Sequence, residues 1–275
     1  MKLKFLGTAA FEGIPALFCS CQACKDARAK GGKDIRTRTQ ALVNDDLLID
    51  FPCDAFAHFQ TYALDFEKIK NLLITHNHSD HLVHYDLNIR LGGFAHPKDE
   101  SPLHIYVGEA GYKQIETGCA NALKQGRLAL HLLKAWERFE CAGYSVIPIP
   151  AQHDFASSPF IFVIEKDGKS LLYANDTGVL PAETYDTLAR MGVRLDYAAI
   201  DCTMEFSKNK WWGHFKFEEV VEAVEELKKR GCLNEGCEVC INHFSHNSYH
   251  GHEFLVEQAK KYGFDVSYDG KEVEF

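Results

Sequence analysis

The alternation of apolar and polar residues along the chain predicts short strands interleaved with helices. Short apolar runs bounded by polar or glycine-containing turns are typical of β-strands. In the first half of the chain such runs predict strands at residues 2–6, 41–43, 47–49, 69–74 and 105–107. In the second half they predict strands at residues 128–133, 145–149, 160–164, 170–174, 197–201 and 239–242, and two short strands close the chain.

Apolar residues that recur every three or four positions predict helices between these strands. The clearest helix spans residues 217–230, where Val220, Val224 and Leu227 belong to one apolar stripe. Glutamates lie at its start, basic residues lie at its end, and Gly231 follows it. The same pattern predicts helices at residues 26–30, 55–62, 82–91, 109–123, 181–191 and 252–262.

This order of elements suits two mixed sheets that pack face to face with helices on the outside. The predicted class is therefore α/β (α+β). No linker, repeat or low-complexity segment interrupts the chain, so residues 1–275 are expected to form a single domain.

The stretch after the strand at residues 69–74 concentrates side chains that bind metals. His76, His78, Asp80 and His81 fall within six residues. Adjacent side chains diverge, so one tetrahedral ion cannot easily take all four. Two neighbouring ions, each completed by residues from elsewhere, would account for the cluster, because imidazole and carboxylate are suitable ligands for such ions. A histidine-rich polar surface turn is the alternative.

Four more residues of ligand type end predicted strands, namely Asp50, His153, Asp176 and His243. Each has an ordinary explanation alone, since an aspartate before Thr-Gly commonly belongs to a turn. Strand ends that meet at one sheet edge can share a site, so together with the histidine turn these residues predict a metal centre. Asp50 is expected to orient the histidine turn from outside the ligand set.

The cysteines indicate a second metal site. The chain has ten cysteines but no secretory signal, so a disulfide framework is not expected. Cys19, Cys21 and Cys24 have the spacing of a thiolate site that needs a fourth ligand. Cys237 and Cys240 form a rival pair, although a buried free thiol in an apolar strand also explains Cys240.

Charge and hydropathy narrow the classes of partner. The formal net charge of -9 argues against general binding to nucleic acid. No apolar run approaches membrane-spanning length, and a cytoplasmic location is the default expectation. The sequence leaves the oligomeric state open, a homodimer included.

In its motifs the chain resembles the metallo-β-lactamase fold superfamily. The matching residues, in the family's order, are Asp50, His76-x-His78-x-Asp80-His81, His153, Asp176 and His243. The resemblance implies a four-layer αβ/βα sandwich with two divalent ions, zinc or manganese, at one edge. It assigns His76, His78 and His153 to one ion, Asp80, His81 and His243 to the other, and Asp176 to a bridge between them.

The thiol loop narrows the resemblance to the PhnP-type cyclic-phosphate phosphodiesterases. In that group three thiolates and a histidine bind a structural zinc ion, and the matching histidine here is His246. It lies three residues after His243, so one loop is expected to join the zinc site to the catalytic edge. The cofactor-biosynthesis protein PqqB is similar to this group, thiol loop included, and is expected to lack the full ligand set. A binding protein of that kind is the non-catalytic alternative.

The resemblance implies hydrolysis of a small or cyclic phosphate ester by a hydroxide shared between the two ions. It assigns catalysis to Asp80 and His214, and His214 would assist the leaving group or bind phosphate. Because His214 precedes the helix at residues 217–230, the helix dipole is expected to favour the neutral imidazole, and a bound phosphate would offset that preference. Packing against Trp212 is the alternative for this histidine.

Two other hydrolase classes of the same fold are weighed against the phosphodiesterase. A lactone or thioester hydrolase remains the alternative enzyme. A tRNA-processing nuclease is disfavoured, because the chain is acidic and has no basic arm with interleaved aromatic residues. Substrate specificity is expected in residues 82–104 and 206–215.

Overall fold

The first of two sheets combines antiparallel and parallel strands. The structure is a computed structural model that describes residues 1–209 and 211–275. The strands of this sheet are β1 (Lys2–Gly7), β2 (Gln40–Val43), β3 (Leu47–Ile49), β4 (Asn71–Leu73), β5 (Leu103–Val107), β6 (Leu128–Leu132) and β14 (Glu272–Glu274). Their order is β14-β1-β2-β3-β4-β5-β6, parallel from β3 to β6 and antiparallel elsewhere.

The second sheet also combines parallel and antiparallel strands. Its strands are β7 (Phe139–Cys141), β8 (Tyr144–Pro150), β9 (Phe160–Lys166), β10 (Lys169–Ala174), β11 (Leu195–Asp201), β12 (Leu233–Asn242) and β13 (Asp265–Val266). The order is β13-β12-β11-β10-β9-β8-β7, with β10 to β13 parallel and β7 to β10 antiparallel. The parallel strands therefore form one end of each sheet, up to the edge strands β6 and β13, and their carboxyl ends face one edge of the molecule.

Helices connect the strands and cover the outer faces of the sheets. The α-helices are α1 (Gln22–Lys30), α2 (Ala55–Thr61), α3 (Glu109–Gly118), α4 (Ala120–Lys124), α5 (Ala182–Arg190), α6 (Phe217–Lys229) and α7 (His252–Lys260). Short 3₁₀ helices occupy Gly32–Asp34, His84–Arg90 and Phe155–Ser157.

Three apolar clusters hold four layers together. Phe5, Phe162 and Tyr173 belong to the cluster between the two sheets. A second cluster packs α5, α6 and α7 on the outer face of the second sheet, and a third packs α3 and α4 on the outer face of the first. Burial on both faces of each sheet confirms the predicted α/β four-layer sandwich.

Helix α6 shows how sequence and packing agree. Val220 and Leu227, from its predicted stripe, are buried against the second sheet. The side chain of Glu219 accepts a hydrogen bond from the Lys216 backbone N–H at 2.8 Å, which satisfies a free donor at the helix start. The helix spans Phe217–Lys229, one residue shorter than predicted.

Some predicted elements differ from those observed. The segment 82–91 forms a 3₁₀ helix, and the helix predicted at 109–123 divides into α3 and α4. The division falls at Cys119, whose buried thiol donates to the His84 carbonyl at 3.0 Å and so ties the junction to the 3₁₀ helix. Helix α1 begins at Gln22, inside the thiol loop, and the short half-exposed strand β7 was not predicted.

Among the described residues, no helix is long and apolar enough to cross a membrane.

Candidate metal centre and its cleft

The candidate site lies where strand ends of both sheets converge. From the first sheet it receives Asp50 after β3 and the histidine turn after β4. From the second sheet it receives His153, Asp176, Asp201 and His243. Three of these residues adopt left-handed backbone conformations, with φ of 65° at Asp50, 50° at Asp176 and 62° at His243. Such a conformation costs a side-chain-bearing residue roughly 1–2 kcal/mol, so the surrounding structure holds each strand end in place.

The first donor group consists of His76, His78 and His153. One ring nitrogen from each lies within 4.8 Å of the others. The Nε2 atom of His153 is 3.3 Å from the Nδ1 atom of His78. Three imidazoles at this spacing suit one zinc-sized cation.

The second donor group consists of Asp80, His81 and His243, with donor atoms likewise within 4.8 Å. Asp176 lies between the two groups. Its Oδ2 atom is 2.8 Å from His81 Nε2 and 3.0 Å from His243 Nε2. Its Oδ1 atom is 3.7 Å from Nε2 of His153, in the first group. One carboxylate therefore presents an oxygen to each group, as a bridging ligand would.

Unsatisfied polar atoms show that these residues fit metal ions. Nε2 of His76, His81 and His243 and Oδ2 of Asp176 are buried and make no well-aligned hydrogen bond among the described residues, although Oδ2 of Asp176 lies close to Nε2 of His81 and His243. Each such atom left without a partner costs about 1–3 kcal/mol. Buried ligand-type atoms clustered around the Asp176 carboxylate are accounted for when they coordinate cations.

The pKa shifts of His76 and Asp176 suit cation binding. Burial holds the pKa of His76 well below its ordinary value, so the ring offers a lone pair. Burial raises the pKa of Asp176, but His243 and His81 outweigh burial and hold it well below the ordinary value.

The second ring nitrogen of each histidine is held by a neighbour. His81 Nδ1 lies 2.7 Å from Asp50 Oδ2, and Thr75 donates its backbone N–H to Asp50 Oδ1 at 2.8 Å. Asp50 is fully buried and orients the histidine turn in the way that the sequence predicts.

The remaining partners come from nearby loops. Thr75 Oγ1 is 3.1 Å from His76 Nδ1, and Asp154 Oδ2 is 3.2 Å from His78 Nε2. The Gly213 carbonyl oxygen is 3.1 Å from His153 Nδ1. Thr203 Oγ1 is 2.7 Å from His243 Nδ1. Each contact leaves the opposite nitrogen facing the donor groups.

Asp201 is a site residue that the sequence reasoning missed. Its buried carboxylate places Oδ2 3.0 Å from His214 Nδ1 and 3.3 Å from His243 Nδ1. The same oxygen accepts the Asp176 backbone N–H at 3.1 Å. Its position at the end of a predicted strand, like that of Asp50, was the signal that could have identified it.

His214 lies beside the donor groups, and Asp201 sets its charge. The loop that carries it packs closely on Gly178, where a Cβ would meet the Trp212 carbonyl at 1.8 Å. Burial lowers the pKa of His214, but Asp201 outweighs burial and raises it above the ordinary value. This direction is opposite to the one expected from the helix dipole, because the Asp201 carboxylate contacts the imidazole directly.

The thiol loop and His246 form a separate cluster. The Sγ atoms of Cys19, Cys21 and Cys24 lie 3.6, 3.5 and 3.5 Å from His246 Nδ1. Tetrahedral zinc with Zn–S of about 2.3 Å and Zn–N of about 2.05 Å places sulfur and nitrogen about 3.6 Å apart. The backbone N–H of Ala16 points at the Cys24 sulfur at 3.3 Å, as expected around a thiolate. These four residues fit a closed zinc site.

The rival cysteine pair does not come together. Cys240 is buried in the cluster between the sheets, whereas Cys237 packs against the cluster on the outer face of the second sheet. The two thiols therefore lie on opposite faces of β12.

The donor groups open into a cleft of about 570 Å³. His214 and Trp211 line it from the segment 206–215, of which Lys210 lies outside the described residues. Among the described residues, none of the segment 82–104 lines it. Its other walls include loops that the sequence reasoning did not connect with substrate specificity. They contribute Ala10, Phe11, Glu12, Ser245, Asn247 and Ser248.

A family profile described as "Beta-lactamase superfamily domain" matches residues 46–233. No curated protein sequence matches the chain. A crystal structure of a diphosphatase from the PhnP family is similar over 100% of this chain and 97% of that one, with 22% identity and a TM-score of 0.78. Zinc-bound PqqB from Methylobacterium extorquens is similar over 100% of both chains, with 18% identity and a TM-score of 0.73. YhfI from Bacillus subtilis, a metallo-β-lactamase fold protein, is similar over 100% and 99%, with 16% identity and a TM-score of 0.71. At these identities the likeness is one of fold.

Proposed function

We propose that this chain, which belongs to the β-lactamase superfamily, is a dinuclear metal-dependent phosphodiesterase. Its substrates would be small or cyclic phosphate esters. Its fold is that of the metallo-β-lactamase-type, metal-dependent hydrolases. The observation that carries the proposal is Asp176, whose two oxygens face two separate donor groups.

Three residue sets would hold three ions. His76, His78 and His153 would hold one divalent ion, Asp80, His81 and His243 would hold a second, and Asp176 would contact both. When bound, such ions supply the Lewis acidity that activates water near neutral pH and offsets charge developing on a phosphoryl group. The thiol loop with His246 would hold a structural zinc ion.

His214 supports a phosphate ester over a neutral carbonyl substrate. Its Nδ1 is engaged by Asp201, so Nε2 is the nitrogen left for the cleft that the residue lines. A carboxylate-backed imidazole favours the charged form, which can bind a phosphate oxygen or donate a proton to a departing alkoxide. Neither role requires a protein nucleophile.

The cleft favours a small substrate. At about 570 Å³ it is within the range for ligands of small-molecule size. Phe11 and Trp211 line it and remain 55% and 61% exposed, so they offer apolar contact surface beside the polar donor groups.

The test is hydrolysis by protein stripped of metal and reloaded with zinc or manganese. Bis(p-nitrophenyl) phosphate and a ribose cyclic phosphate are the phosphodiesters, and a lactone and a thioester are assayed in parallel. We expect phosphodiester turnover that Asp80→Ala lowers by about a hundredfold or more through lost metal affinity. His214→Ala should lower it by roughly a hundredfold to ten-thousandfold.

His96→Ala is the matched control, because His96 is an exposed histidine outside the cleft. It should retain wild-type turnover. Turnover of the lactone or thioester alone would assign the site to the alternative hydrolase. No turnover of any substrate by fully loaded protein would favour a binding protein resembling PqqB and would reject the phosphodiesterase.

A further inference from the structure

Glu12 places a carboxylate in the cleft wall, outside both donor groups. Its Oε1 atom accepts a hydrogen bond from Asn247 Nδ2 at 2.9 Å and lies 3.4 Å from Ser245 Oγ. The side chain is 32% exposed, and Glu12, Asn247 and Ser245 all line the cleft. The carboxylate is therefore half-buried, tethered through one oxygen, and accessible to whatever fills the cleft.

The tether is firm because two loops bind each other through their backbones. Ala10 N–H donates to the Phe244 carbonyl at 2.9 Å, and Phe244 N–H donates to the Thr8 carbonyl at 2.9 Å. These bonds connect the loop of Glu12 to the loop that begins at His243. These bonds fix the two loops relative to each other, and the hydrogen bond from Asn247 holds one oxygen of the Glu12 carboxylate.

Among the described residues, no lysine or arginine forms an ion pair with Glu12. Among the described lining residues there is no lysine or arginine. The nearest basic group to Glu12 is His246, whose Nε2 lies 3.9 Å from Oε1 and whose other ring nitrogen faces the thiols. An ionised carboxylate only accepts hydrogen bonds, so it pairs well with hydroxyl groups and repels a second anion.

We propose that Glu12 is a specificity-determining residue that selects phosphodiesters whose alcohol portion carries a hydroxyl group and no second phosphate. The inference rests on the proposed phosphodiesterase function and names the substrate class of the same cleft. The scissile phosphate lies at the donor groups and His214, and Glu12 accepts a hydrogen bond from the alcohol portion. A second phosphate on the alcohol portion would lie beside the Glu12 carboxylate and be repelled by it.

Three compounds that differ at one position test this assignment. They are adenosine 2′,3′-cyclic phosphate, its 5′-deoxy analogue and its 5′-phosphorylated analogue. For the wild-type protein we expect kcat/KM to fall in the order hydroxyl, hydrogen, phosphate, with about tenfold or more between the first and last. Glu12→Gln keeps the shape and removes the charge, so it should raise kcat/KM for the 5′-phosphate and shrink that ratio about tenfold.

Two further variants separate charge from structure. Asn247→Ala frees the carboxylate but keeps its charge, so it should weaken the preference for hydroxyl over hydrogen and retain rejection of the 5′-phosphate. Glu235→Gln removes an exposed carboxylate at the start of β12 and should leave both ratios unchanged.

The outcomes are distinguishable from failure of the proposed function. If the wild-type protein turns over cyclic phosphates and Glu12→Gln leaves the hydroxyl-to-phosphate ratio unchanged, the assignment of Glu12 is overturned and the phosphodiesterase stands. If Glu12→Gln loses zinc from the thiol cluster and leaves selectivity unchanged, Glu12 is a support for His246 instead. Absence of turnover for all three compounds and for bis(p-nitrophenyl) phosphate overturns both.

Discussion

Replacing Asp50 by asparagine tests whether residues outside the ligand set control metal binding. The carboxylate accepts from His81 Nδ1 at 2.7 Å and from the Thr75 backbone N–H at 2.8 Å. Asp50→Asn retains an oxygen for Thr75 but presents an amide N–H₂ to His81. Two donors then face each other, unless His81 moves its proton to Nε2.

The tautomer change sets the expected magnitude. A proton on Nε2 blocks the nitrogen that lies 2.8 Å from Asp176 and would bind the second ion. Changes to such supporting residues typically lower metal affinity by about 10- to 100-fold. That range corresponds to about 1.4–2.8 kcal/mol of binding free energy. The larger loss should fall on the ion held by Asp80, His81 and His243, because Asp50 contacts His81 directly and reaches His76 only through Thr75.

Competition with a chelator, followed by metal analysis, measures the loss of affinity for each metal ion. Asp269→Asn is the matched control, since Asp269 is also a carboxylate that accepts hydrogen bonds from threonine side chains, Thr8 and Thr37. The unfolding free energy of metal-free protein is measured for both variants, so that a folding defect is not mistaken for lost affinity. Wild-type affinity for both ions in Asp50→Asn would refute the tautomer argument.

The remaining predictions concern the thiol cluster and stability. Cys21→Ser should remove one chelator-resistant zinc ion per chain, whereas Cys53→Ser, which changes an exposed cysteine, should remove none. Equal zinc content in the two variants would exclude a zinc site at the thiol cluster. Burial, and then Arg36, lower the pKa of His252 from 6.5 to about 4. Between these pH values the unfolded chain binds a proton that the folded chain does not, so stability should fall as pH drops, by up to about 1.4 kcal/mol per pH unit. His252→Gln should remove that contribution in denaturation measured at several pH values, and an unchanged slope would contradict it.

Much of the fold was predictable because its elements are local. The apolar runs at 41–43 and 47–49 and the turn between them lie within a few residues, and they became β2, β3 and their hairpin. Predicted elements differed from the observed ones where contacts between distant segments are made. The predicted helix at 109–123 divides at Cys119, whose thiol contacts a carbonyl from residue 84, and no local pattern reports that contact.

The sequence by itself determined which strands end in ligand-type residues and that the histidine turn carries four of them, because spacing along one strand and turn is a local property. Only the tertiary structure decided which distant residues face one another. The bond between Glu12 and Asn247 joins positions 235 residues apart, and Asp201 contacts His214 and His243 through separate loops. Such contacts depend on how two sheets register and pack, and packing is a property of the whole chain rather than of any segment.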